Sequence, residues 1–180
     1  LVRELVTLVE ISGGQALVGE CYPEGGAPYS PFAQIFRQVL HHPTFHRTDW
    51  PDYLLADLVS VSSDLQSIFP GLPANPRLDP LAEQQRLFES VAAFTSQLCL
   101  ARPCLLVVED AHWADEASLA LLRFLARRLR TERLMLVSTY REVELEHELD
   151  QMRMGGAPVG NRPLVSADDI AEVVAMGTGI

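Results

Sequence analysis

The chain has 180 residues, 48% of them hydrophobic and 21% charged, with no long charge block, so it can bury one sizeable core and is not a disordered tail. A net charge of −10 opposes nucleic-acid binding by this segment, because neutralising phosphates needs clustered cations. All 14 cations are arginine, so any chemistry that needs an ammonium group lacks its side chain here.

Residues 1–11 set Leu1, Leu5, Leu8 and Val9 at helical spacing, and Gly13-Gly14 end the predicted helix. The opening "LVRELVTLVE" carries acids and no small-residue cleavage site, so it does not read as a secretory signal, and it begins as if part-way into a domain. "QALVGECY" (15–22) predicts a buried strand, "PEGGAPYSP" a loop, and "FAQIFRQVLHH" (32–42) and "YLLADLVSVSSDL" (53–65) two helices. The Pro-rich "FPGLPANPRLDP" (69–80) predicts a surface connection within one domain, since neither side has enough chain for a separate core.

Asp79 followed by Pro80 predicts a capped helix to about Leu100 that buries Leu87, Val91, Phe94 and Leu98. After Pro103, "CLLVVE" shows no polar alternation, the pattern of a central parallel strand covered on both faces. A helix over 116–130 follows, with Leu121, Leu122, Leu125 and Leu129 as its apolar stripe, and "RLMLVSTY" (133–140) predicts the next central strand. "HELDQM" predicts a short helix, "GGAPVGNRP" a loop, and the capping box Ser166/Asp169 a helix near 167–176. The apolar runs are too short to span a bilayer. Cys21, Cys99 and Cys104 are an odd set without CxxC spacing, so neither a disulfide framework nor a zinc site is indicated, and a cytoplasmic location fits.

Helices alternating with apolar strands predict an α/β domain with a parallel sheet, in which ligands bind at the carboxyl ends of the strands. Two strands end there in polar groups: "LLVVED" in Glu109 and Asp110, and "LMLVSTYR" in Ser138, Thr139 and Arg141. Adjacent carboxylates repel and are costly to bury unpaired. A divalent cation resolves this, one acid orienting Mg²⁺ through its water shell while the other polarises an attacking water. The alternative is that both acids stand in solvent and help to cap the following helix. For "HHPTFH", with His41, His42 and His46, a solvated loop competes with a metal site that would lack a cysteine or carboxylate at ligand spacing. His112 and Trp113 read as packing residues and Asp115 as a helix cap.

The string of four aliphatics, two acids, "HWAD" and an amphipathic helix resembles the Walker B region of signal-transduction ATPases with numerous domains, the STAND branch of AAA-like P-loop proteins, as found in large LuxR-type transcriptional regulators. "VGECYPEGGAPYSPF" (18–32) is similar to that group's second strand and following loop, and "LVSTYRE" (136–142) to its sensor strand. The resemblance covers roughly residues 1–145. It implies a three-layer P-loop NTPase-like fold, a parallel sheet with helices on both faces, spanning residues 1–150, with 151–180 opening a following helical segment.

The resemblance further implies ATP and Mg²⁺ as cofactors, Glu109 and Asp110 as the catalytic and metal-orienting acids, and Thr139 and Arg141 as nucleotide-binding residues, with Arg141 near the γ-phosphate. An ion pair of Arg141 with Glu142, Glu144 or Asp110 is the structural alternative. The first acid is Glu where many relatives have Asp, which leaves the division of roles open. The GxxxxGK[ST] loop has no counterpart in a chain without lysine, so the first strand and the phosphate cradle, on the order of 20 residues, are expected upstream of Leu1. The implied function is an ATP-driven regulatory switch that self-associates or controls effector domains, without nucleic-acid or membrane contact by this segment. The alternative is a nucleotide-free interaction module of the same fold.

Overall fold

The computed structural model describes residues 1–140. Helix α1 (Val2–Ile11) leads to strand β1 (Gln15–Glu20), and α2 (Ser30–Leu40), α3 (Asp52–Ser60), α4 (Ser63–Gln66) and α5 (Pro80–Ala101) follow before β2 (Cys104–Glu109). Helix α6 (Glu116–Arg128) and strand β3 (Leu134–Ser138) complete the order. The three strands form one parallel sheet in the order β1-β2-β3. Every strand therefore ends at the same edge, which is what brings distant polar residues together.

One face of the sheet carries Leu17, Leu106 and Val108 into the main core with Phe32, Ile35 and Phe36 of α2, Val91 and Phe94 of α5, and Leu121 and Leu125 of α6. Helix α3 adds Leu54, Leu55 and Leu58 to the same cluster. No residue of α1 belongs to it, and α1 contacts β1 and β2 from the opposite side, so helices lie on both faces as in an α/β three-layer fold. Leu105 and Val107 are buried as deeply as Leu106 and Val108, which is why β2 shows no polar alternation.

The predicted caps form. Asp79 accepts a hydrogen bond from the Ala82 N–H at 3.1 Å with Pro80 at the first helical position, and Asp115 accepts one from the Ser118 N–H at 2.9 Å. The helix expected over 53–65 is instead two, because Ser62 is extended at φ −155° and its hydroxyl turns to Asp64. Serine hydroxyls that bond locally compete with helical continuation, and Ser60 likewise donates to the Asp57 carbonyl at 2.6 Å. Of the apolar positions spaced along α1, Leu1 and Leu8 stand in solvent at 98% and 61% exposure, while Leu5 and Val9 are half-buried. Strand β3, expected to be central, has β2 as its partner among the described residues and leaves Met135 exposed. The helices expected at "HELDQM" and near 167–176, and the boundary after residue 150, lie outside the described residues.

Close packing at β1 depends on one glycine. A Cβ at Gly19 would stand 2.3 Å from the carbonyl oxygen of Pro31, so α2 can start directly against the strand only because no side chain is there. The loop between them ends at Tyr29, which is left-handed at φ 65° and sets its ring edge-on to Phe88 with centroids 6.3 Å apart. A carboxylate inside α3, Asp57, accepts hydrogen bonds from Arg86 Nε at 3.0 Å, Asn75 Nδ2 at 2.7 Å and Ser90 Oγ at 2.7 Å. These bonds hold the Pro-rich connection and α5 against α3. Among the described residues no helix is long and apolar enough to cross a membrane.

Candidate functional site

At the carboxyl edge of the sheet β2 ends in Glu109, and the chain turns at Asp110, which is left-handed with φ 53° and ψ 46°. Aspartate tolerates this conformation better than most residues with a Cβ, but it still needs holding. Thr139, just past β3, does so with three bonds. Its Oγ1 accepts the Asp110 N–H at 3.0 Å, its carbonyl accepts the Ala111 N–H at 2.8 Å, and its own N–H donates to the Val108 carbonyl at 3.0 Å. A 3₁₀ turn, Ala111–Trp113, then carries His112 and Trp113 with ring centroids 4.9 Å apart, and Asp115 caps α6 through both the Ser118 N–H and the Ser118 hydroxyl.

Strand β1 adds an acid that the sequence reading passed over. Glu20 is the register partner of Glu109, so their side chains share one sheet face on adjacent strands. The signal was present: "ALVGE" also ends in a carboxylate, and three parallel strands must align their ends. Glu20 accepts a hydrogen bond from the Tyr22 hydroxyl at 3.0 Å, and the Cys21 N–H donates to the Glu109 carbonyl at 3.0 Å. Burial pushes the Cys21 thiol up to about 12, and the negative charges of Asp115, Asp110 and Glu20 push in the same direction. Acids from β1, from the β2 turn and from the start of α6 therefore act on Cys21 at one edge.

Of the residues expected to form a site, Glu109, Asp110 and Thr139 are therefore brought together, and Arg141 lies outside the described residues. The donors are hard carboxylate oxygens, which suit a small divalent cation. Among the described residues no three His, Cys, Asp or Glu side chains are placed to coordinate a metal directly. Two adjacent strand-end carboxylates are the kind of donor that holds a largely hydrated Mg²⁺ when phosphate supplies its other ligands.

A family model described as AAA ATPase domain matches residues 1–137. The chain belongs to the AAA ATPase domain family. No curated protein and no solved structure matches it. As a P-loop ATPase-like domain of that family it has a parallel sheet whose carboxyl edge is the expected nucleotide side, and that edge carries the acids. The 180 residues contain neither lysine nor a GK[ST] phosphate loop.

Proposed function

We propose that this AAA ATPase domain is the core of a STAND-type regulatory switch of the kind found in large LuxR-type regulators, working in the cytoplasm, with residues 1–150 as the core and 151–180 leading into a helical segment. The observation that carries the reading is the Thr139 clamp, which holds Asp110 in a left-handed turn beside Glu109 at the carboxyl edge. A left-handed non-glycine residue held by its neighbours marks a site where position matters more than local comfort. In this reading Glu109 would orient Mg²⁺ through water and Asp110 would accept a proton from the attacking water, while Thr139 keeps Asp110 in place. When bound, the cation would supply neutralisation of phosphate charge. Arg141, two residues beyond Thr139, pairs with the terminal phosphate and tells ATP from ADP. Self-association or release of an effector domain then follows the nucleotide state.

The test is made in the full-length protein. Asp110→Asn is expected to suppress hydrolysis with nucleotide binding largely kept, and Glu109→Gln to weaken the Mg²⁺ dependence of binding. The opposite pattern exchanges the two roles, and no effect from either variant refutes the switch reading. The second reading is a nucleotide-free interaction module of the same fold, which holds if the full-length protein has no GK[ST] loop. Equilibrium dialysis of the full-length protein with Mg-ATP separates the two, since the module retains no nucleotide.

A further inference from the structure

Among the described residues β1 is an edge strand, and its peptide groups alternate between β2 and the outside. The N–H groups of Gln15 and Cys21 donate to the carbonyls of Pro103 and Glu109 at 2.8 and 3.0 Å, so the odd residues face β2 while Ala16, Val18 and Glu20 face outward. Two of these outward peptides are already paired, and the partner in both cases is a carboxamide. Gln34 Oε1 accepts the Glu20 N–H at 3.1 Å and its Nε2 donates to the Glu20 carbonyl at 2.8 Å. Gln38 repeats the pattern on Val18, accepting at 3.2 Å and donating at 2.5 Å. The match is geometric: one helical turn advances about 6 Å for four residues, and the outward peptides of a strand recur about every 6.6 Å.

The third rung is different. Helix α2 ends at Leu40, and His42, one turn beyond Gln38, has its Nδ1 within 2.8 Å of Thr44 Oγ1 and does not continue the series. Among the described residues no hydrogen bond reaches the outward N–H and C=O of Ala16, which open into a cavity of about 540 Å³. That is within the usual range for a small-molecule site. Gln38 borders it above and the half-buried rings of Phe45 and Trp50 form an apolar wall. Glu10 and Asp49 outnumber Arg102 among its charged lining residues, which disfavours an anionic ligand.

We propose that this cavity, at the opposite end of β1 from Glu20, binds a small neutral molecule through a carboxamide. The ligand amide N–H donates to the Ala16 carbonyl, its oxygen accepts the Ala16 N–H, and its apolar part lies against Phe45 and Trp50. The strand edge is selective for this group because it presents one donor and one acceptor side by side, the pair that Gln34 and Gln38 satisfy at the neighbouring rungs. An ester of the same skeleton keeps the acceptor and loses the donor, leaving the Ala16 carbonyl unpaired.

The experiment is a nitrogen-15 NMR titration of the 180-residue chain with benzamide, propionamide and isobutyramide, each against the methyl ester of the corresponding acid. The amides are expected to shift the Ala16 and Val18 backbone signals and the Trp50 indole signal in a saturable way, with the esters weaker by about tenfold. The Ala101→Trp variant, at an exposed position on the cavity wall, is expected to abolish those shifts with the far-ultraviolet spectrum unchanged. No saturable shift at Ala16 from any amide overturns the proposal and leaves the rung to water. Equal binding of amide and ester overturns it as well, and that comparison needs no variant.

Discussion

Replacing Asp57 with alanine is expected to cost more stability than any other single polar change in α3. The carboxylate is 5% exposed and accepts hydrogen bonds from Arg86, Asn75 and Ser90 at 3.0, 2.7 and 2.7 Å. Truncation leaves the buried Ser90 hydroxyl without its acceptor, at a cost of about 1–3 kcal/mol. It also strands the Arg86 guanidinium. Breaking a fully buried pair costs about 3–5 kcal/mol, but Arg86 is 28% exposed and still donates to the Pro76 carbonyl at 2.7 Å, so only part of that applies. The sum is about 3–4 kcal/mol, a large share of the roughly 5–15 kcal/mol that holds a typical domain together. Asp57→Asn keeps the shape and an acceptor for Arg86, and about half the loss is expected. Urea unfolding followed by tryptophan fluorescence measures both, Trp50 being packed on Phe94 with centroids 4.5 Å apart. Asn75 ties the Pro-rich connection to the same carboxylate, so Asp57→Ala should also speed proteolysis within residues 70–78 of the native protein. A loss under about 1 kcal/mol for alanine, or equal losses for alanine and asparagine, would refute the argument that this buried pairing carries the energy.

Gly19→Ala should destabilise the chain by about 1–3 kcal/mol in the same urea assay, because the new methyl meets the Pro31 backbone, and a neutral result would mean α2 can shift away from β1. The Cys21 thiol is raised from 9.0 to about 12, so the stability it contributes is fully present below pH 9 and is lost as pH rises toward 12. The wild type should therefore lose stability more steeply than Cys21→Ser between pH 9 and 11, and parallel curves would show that the thiol is not held neutral. Millimolar Mg-ATP should scarcely move the melting temperature of this chain, since it lacks the lysine and loop that grip phosphates, and a shift of many degrees would contradict that reasoning. In the full-length protein Arg141→Ala should weaken ATP binding more than ADP binding by about tenfold, and equal losses would leave Arg141 as a structural residue.

Local chemistry was enough to read most elements from the chain. The caps at Asp79 and Asp115, the stripe of α6 and the unbroken run of β2 are decided by neighbours within a few residues, so periodicity and turn residues report them directly. The same holds for the acid pair, because a strand that ends abruptly in Glu109-Asp110 already names the edge of the sheet. The break between α3 and α4 was less legible, since whether serine hydroxyls continue or interrupt a helix depends on where they bond. Three features were decided only by tertiary structure, because each joins residues far apart in the chain through a register that no local pattern encodes. Glu20 stands beside Glu109 because β1 and β2 pair in parallel, Thr139 clamps Asp110 because β3 lies on the other side, and Gln34 and Gln38 meet the edge of β1 because the pitch of α2 matches the strand repeat.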